Sequence, residues 1–145
     1  MSTFAGGKEK KKRRSRIPAG PVGARLVMEE LLRRGFDARL ADSDTKKYDL
    51  LVGLYGSPLK PVHVRTVHVG PWYVRSAHFV GAIENQVTVY VLLGLGNNSS
   101  CARFFVTQNS NMKTELRQPP NWREFGLIDV EAAKQYEDNW DLLRT

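Results

Sequence analysis

The chain has 145 residues, the usual size of one domain, and its 41% hydrophobic and 10% aromatic content suffices for an ordinary packed core. Its formal net charge of +7 is uneven: seven Lys and Arg residues and only Glu9 precede Ile17, whereas the remainder carries 15 basic against 14 acidic residues. A uniformly basic body is therefore excluded, and so is an internal disulfide, because Cys101 is the single cysteine.

A reducing, cytoplasmic setting fits that cysteine usage. No apolar run reaches the roughly 18–20 residues of a membrane helix, so no membrane partner is expected. The early basic residues are not followed by an apolar stretch, so a secretory leader is not expected either. Residues 1–20 have few core side chains and many like charges, which predicts a basic arm that is disordered when free. Lys10, Lys11, Lys12, Arg13, Arg14 and Arg16 are its candidate phosphate contacts. The same run also reads as a solubilising tail or a nuclear import signal.

"GPVGARLVMEELLRRGF" predicts an amphipathic helix with Ala24, Val27, Met28, Leu31 and Leu32 on one face and Leu26 off it. Glu29 and Glu30 precede Arg33 and Arg34 at helix-pairing distance, and Gly35 stands where a left-handed C-terminal cap belongs. "FDARLAD" and "YDLLVGLYG" read as strands joined by a turn. "PVHVRTVHV" alternates, placing Val62, Val64 and Thr66 on one side and His63, Arg65 and Val67 on the other. "GPWYVRSAHFVGAIEN" has no clear period, and Gly70-Pro71 breaks the chain. "QVTVYVLLGLG" reads as a central strand and "CARFFVTQ" as its successor. "NSNMKTELRQ" predicts a short helix capped by Asn109 or Ser110. "DVEAAKQYEDNWDLL" predicts a closing helix with Val130, Ala133, Tyr136, Trp140 and Leu143 on one face. Helix, three strands, two strands and helix imply an α+β or α/β domain with helices packed on a mixed sheet.

This order resembles the PD-(D/E)xK nuclease superfamily, in its restriction-endonuclease-like and Holliday-junction-resolvase-like branch. The resemblance rests on "LLRRGF" leading into a strand, "YDLLV", "VHVRTV" at third-strand distance, the pair "VTVYVLLGL" and "ARFFVTQ", and the closing "YEDNWDLL". It implies a single domain over residues 21–145, built as a mixed sheet of about five strands flanked by an N-terminal and a C-terminal helix. It also implies DNA or RNA as partner and a possible homodimer.

Active relatives bind Mg²⁺ or Mn²⁺ through oxygen ligands on neighbouring strands, with a Lys two residues after the second ligand. The metal activates water and stabilises the leaving oxygen. Asp49 matches the strand aspartate and is the one candidate metal ligand. His63 falls where Glu, Asp or Gln is expected, Arg65 where Lys is expected, and Ala24 where a helix carboxylate is expected. His63 favours softer ions than Mg²⁺. Arg65 can grip a phosphate but cannot act as a base. The catalytic set thus reads as degenerate and no cofactor is expected, with Mg²⁺ or Mn²⁺ required only if activity survives.

Plainer readings stand beside these. Asp49 can cap backbone groups at a turn, His63 reads as a surface strand residue, and Arg65 as an exposed cation facing a phosphate or a carboxylate. Glu29 and Glu30 lie off the helix face, and Asp44 and Glu84 have no telling spacing. His68 and His78 read as ordinary residues and Trp140 as core. Trp72 and Tyr73 suit either base stacking or core packing, and Arg75 beside them is a candidate nucleic-acid contact, as is Arg65. No P-loop, cysteine-nucleophile or zinc-finger pattern is present. The preferred expectation is a nucleic-acid-binding protein with an inactive nuclease-like site. The alternatives are a divergent metal-dependent endonuclease using Asp49 and a protein-interaction domain.

Overall fold

The computed structural model describes residues 19–42, 44, 47–94 and 101–144. The expected basic arm, with Lys10, Lys11, Lys12, Arg13, Arg14 and Arg16, lies outside the described residues. Helix α1 spans Ala19–Arg33. Its end is built by sequence: Gly35 adopts φ +91°, the Phe36 N–H donates to Leu31 O at 3.0 Å, and the Gly35 N–H donates to Leu32 O at 3.1 Å. This is a Schellman cap, whose usual apolar contact is supplied here by the fully buried Leu31 and Phe36. Glu30 pairs with both Arg33 and Arg34.

The buried stripe of α1 differs in one respect from the expected face. Gly23, Val27 and Leu31, four residues apart, are buried; Ala24, Leu26 and Met28 pack at the margin; Leu32 is 43% exposed. The helix meets the sheet along a narrow line, so a residue one step past Leu31 turns to solvent.

The strands are β1 Asp37–Leu40, β2 Leu50–Gly53, β3 Lys60–Val67, β4 Trp72–Arg75, β5 Val87–Leu92, β6 Arg103–Gln108 and β7 Phe125–Ile128. Five of them form one mixed sheet in the order β1-β2-β3-β5-β6, with β3 and β5 parallel and the other pairs antiparallel. Leu50, Val52, Val62, Val64, Val89, Val91 and Val106 face α1 on one side. Tyr90, Phe105, Val67 and Leu92 belong to a second core on the other side. The alternation read in β3 thus sorts its side chains as expected, but both faces are covered. No helix is long and apolar enough to cross a membrane among the described residues.

The second face is covered by elements the sequence did not disclose. The segment of unclear period holds β4 and two 3-10 turns, Ser76–Phe79 and Gly81–Asn85. Strand β4 pairs antiparallel with β7 as a separate two-stranded sheet. Trp72 anchors that sheet: it is fully buried, packs edge-on against Tyr90 and Phe105, and donates from Nε1 to Val91 O at 3.0 Å. Trp72 is therefore core, not a stacking platform.

Two further expectations are corrected. Helix α2, Asn109–Met112, has Gln108 as its N-cap, and no side chain caps it. Asn109 is buried instead: its Oδ1 accepts from the Thr88 hydroxyl at 2.7 Å and its Nδ2 donates to Ile83 O at 3.0 Å. The closing segment is not one helix. It consists of α3, Val130–Ala133, and two 3-10 turns, Lys134–Tyr136 and Trp140–Arg144. Glu137 bridges to Phe105, the Asp138 N–H donates to Phe104 O at 2.9 Å, and Asp138 takes φ +55°. The chain thereby wraps the free edge of β6. Val130, Ala133 and Tyr136 join one core and Trp140 and Leu143 the other, so the expected single face is split across the sheet.

The contact between α1 and β3 is unusually close at Gly23, where an added Cβ would lie 1.8 Å from Thr66 Oγ1 and 2.8 Å from Thr66 Cβ. Rotation about χ1 can move the Thr66 hydroxyl but leaves its Cβ where it is. Gly23→Ala is expected to destabilise the protein by about 1–3 kcal/mol, measured by urea unfolding. Combining it with Thr66→Ala should recover part of that loss, and full additivity of the two effects would contradict the contact.

Candidate functional site

Asp49 sits directly before β2 and is fixed from both sides. Its N–H donates to Val62 O and its carbonyl accepts from the Ala41 N–H, each at 2.9 Å. Extending the Leu50–Val62 register by one residue sets Asp49 opposite His63. The side chain completes what the backbone leaves: Oδ2 accepts the Val64 N–H at 2.7 Å. Arg65 Nη1 lies 3.7 Å from the same oxygen, and so does His63 Nδ1, beyond direct hydrogen-bond length. The structure thus brings together Asp49, His63 and Arg65.

His63 is not the expected surface residue; it is 3% exposed. The covering group is His78, carried on the Ser76–Phe79 turn, whose ring stacks on His63 with centroids 5.0 Å apart and planes 23° apart. His63 Nε2 is buried and has no hydrogen-bond partner among the described residues. Arg65 is half-buried rather than exposed. It donates from Nη1 to Val64 O at 3.1 Å and from Nη2 toward His78 Nδ1 at 3.4 Å. His78 is the site residue the sequence reading missed, since it lies in a stretch without period and nothing in "SAHF" announces a contact with β3. Beyond it, the row continues as His63, Thr88 and Thr107, one on each successive strand.

The electrostatics follow from this packing. Burial raises the Asp49 carboxyl, but His63, the Val64 N–H and the Arg65 charge outweigh it, and the net shift is downward from 3.8. His78 falls from 6.5 to about 4, first through burial and then through Arg65, His63 and Arg75, with Asp49 opposing weakly. An acceptor role for Nδ1 toward Arg65 demands the same neutral ring.

A hard divalent ion takes about six oxygen donors. The described residues offer Asp49, whose Oδ2 already serves Val64 and whose nearest side-chain neighbours are cationic or imidazole groups. No group of three or more His, Cys, Asp or Glu side chains is disposed around a common point among the described residues. Glu30 is held by Arg33 and Arg34, Glu84 lies 3.9 Å from Lys113, and Asp44 is exposed. This donor set does not fit Mg²⁺ or Mn²⁺. Arg75, expected to contact nucleic acid, is exposed on the small sheet, 3.4 Å from Glu124 and over the Phe125 ring. Cys101 is exposed.

No protein-family model matches the chain, and no curated protein does. Solved structures do. The Holliday junction resolvase Hjc of the archaeal hyperthermophile Archaeoglobus fulgidus is similar with a TM-score of 0.56 and 15% identity, over 86% of this chain and 94% of that one. The bacterial homing endonuclease I-Ssp6803I is similar with a TM-score of 0.52 and 14% identity, over 85% of this chain and 87% of that one. Identities this low speak for the fold alone. Both neighbours have restriction-endonuclease-like nuclease folds, and this chain shares that architecture.

Two measurements check the site. The unfolded chain binds a proton at His78 below about 6.5 and the folded chain only below about 4, so stability should fall as pH drops through that window and then level off for this group. His78→Gln should flatten the slope of urea stability between those values, and an unchanged slope would contradict the assignment. Asp49 acts in a separate window: its depressed carboxyl stabilises above 3.8, and that contribution is lost as pH falls through its lower folded value. Asp49→Ala, which leaves the Val64 N–H without its acceptor, should cost about 1–3 kcal/mol at neutral pH.

Proposed function

We propose that the chain is a nucleic-acid-binding protein on a restriction-endonuclease-like fold, in which protein cations take the place of the catalytic metal. The observation that carries this reading is the position of the Arg65 guanidinium, 3.7 Å from Asp49 Oδ2. A divalent ion seated on that carboxylate would meet the repulsion of this guanidinium. Arg65 supplies a permanent positive charge but no Lewis-acid site and no base at neutral pH. Among the described residues, scission would therefore lack both a seat for the ion and a residue to activate water, while attraction for phosphate would survive. The likeness to a resolvase and a homing endonuclease supports nucleic acid as the partner class, and the basic arm supplies the long-range charge.

In this reading Lys10, Lys11, Lys12, Arg13, Arg14 and Arg16 provide the salt-sensitive part of binding, and Arg65 a short-range phosphate contact. A homodimer, as the resemblance implies, would place two such sites on one duplex.

The test combines cleavage and binding. Plasmid and branched DNA incubated with Mg²⁺ or Mn²⁺ should remain as intact with the natural protein as with Asp49→Ala. Duplex binding should weaken steeply with salt, with a log–log slope of about −5 for six arm contacts, and removing residues 1–18 should abolish most of that slope. Turnover that disappears in Asp49→Ala would establish the metal-dependent endonuclease instead. Absence of binding to DNA and RNA at low salt would leave a protein-interaction domain.

A further inference from the structure

The outer face of the two-stranded sheet carries an aromatic patch that the core does not use. Tyr73 stands opposite Leu127, and Arg75 opposite Phe125, in the β4–β7 register. Along β4, Trp72 and Val74 point inward, whereas Tyr73 and Arg75 are exposed. Tyr73 is 62% exposed, Phe125 46% and Trp122 36%. Alternation explains why Tyr73 points outward; it does not explain why outward positions carry rings. Scattered exposed rings need no explanation, but three beside one groove do.

The main chain at Trp122 is held in place. The Pro119-Pro120 turn ends at Asn121, which takes φ +76°, and the Trp122 N–H donates back to Pro119 O at 3.1 Å. Gln118 Nε2 ties down the carbonyls of Trp122 and Arg123 at 2.6 and 3.0 Å. The Trp122 and Tyr73 rings are 6.1 Å apart between centroids, with planes 31° apart. Between them and Phe125 runs an open groove of about 440 Å³, lined also by Asn121, Arg123 and Glu124.

We infer that this groove is a stacking site for an unpaired nucleobase of single-stranded nucleic acid. The inference rests on the nucleic-acid reading above and deepens it. Aromatic rings on a fixed backbone offer a base a flat surface and have few rotatable bonds to immobilise on binding. The charges favour a phosphate backbone beside them. Arg123 is exposed and has no ion-pair partner among the described residues, and Arg75 lies over Phe125 beside Glu124. Arg123 lines the groove and Arg75 stands beside it, two cations against the one carboxylate of Glu124. A proline-rich peptide is the competing occupant of aromatic grooves, but it requires no excess of cations.

The experiment exploits the distribution of tryptophans. Trp72 and Trp140 are buried at 0% and 2% exposure, so Trp122 dominates the red edge of the emission. Titrating the full chain with an oligothymidylate of about 15 nucleotides should quench that edge, whereas a duplex of equal length should quench it far less. Tyr73→Ala with Trp122→Ala should weaken oligothymidylate binding at least about tenfold and leave duplex affinity within about twofold. Tyr73→Phe with Trp122→Phe should restore single-strand binding, because the rings return. Circular dichroism of each variant verifies the fold. If both nucleic acids bind without quenching and the alanine pair changes nothing, the stacking site is overturned while the functional proposal stands. If neither nucleic acid binds, the proposal and the site fall together. Quenching by a polyproline peptide, with none by oligothymidylate, overturns the site in favour of peptide.

Discussion

The hydrogen bond from the Val64 N–H to Asp49 Oδ2 closes the point where β2 and β3 part. Up to Asp49 the two strands exchange main-chain bonds; beyond it the chain turns away, and Val64 would face inward with a donor and no carbonyl to meet it. A buried donor left without an acceptor costs about 1–3 kcal/mol. The carboxylate substitutes for the missing carbonyl and brings a negative charge with it. That charge is then set within 3.7 Å of Arg65 and His63, which hold it ionised. One oxygen is therefore both the end of a ladder and the centre of a charge cluster. A metal ion would have to displace at least part of that arrangement to reach it.

The cluster owes its shape to the two-sided burial of β3. Its even positions face α1, so close at Gly23 that Thr66 leaves no room for a side chain there. Its odd positions face the second core, and His63 is shut in by His78 from the 3-10 turn after β4. A strand with one solvated face would have left His63 open to ligands. Here the crossover from β3 to its parallel partner β5 is spent on a short strand and two tight turns that cover this face. The neutral state of His78 is a consequence: a protonated ring would meet Arg65, Arg75 and His63 in a half-buried setting. Arg65 in turn gains an acceptor, so the cation that neutralises Asp49 is itself held in place.

The sequence was informative wherever local rules suffice. Gly35 after "LLRR" foretold the helix end, because only a left-handed residue completes that cap, and the alternation of Val62 to Val67 sorted β3 correctly, because side-chain direction has period two. The ordered apolar runs led to the five-stranded sheet and to its architecture. What stayed hidden depends on distant partners. Strand β7 is four residues with no alternation, "FGLI", and exists through its pairing with β4 about 50 positions earlier in the chain. The closing segment has helical spacing throughout, yet Glu137 and Asp138 bond to β6 and break it. Of the site, Asp49, His63 and Arg65 were legible through resemblance and spacing. The burial of His63 and the part played by His78 were not, since neither follows from any periodicity in residues 70–86.

Charge divides the labour that the proposed function would require. The folded body is close to neutral, and most of its cations are already matched: Arg65 by Asp49, Arg103 by Glu137, Arg117 by Asp129. A matched guanidinium attracts little at a distance, because its field is cancelled within a few ångströms, and what remains is screened beyond about 8–10 Å of salt solution. Long-range attraction to phosphate must then come from the arm, which holds almost all of the net charge. The body can contribute only at contact, through shape, stacking surfaces and hydrogen bonds that form once partners touch. Such a division separates affinity from selectivity: salt would tune the first and leave the second nearly unchanged. On the proposed reading a nuclease-like scaffold could bind without cutting, since the groups that draw in a polyanion are not the groups that a hydrolytic site must keep.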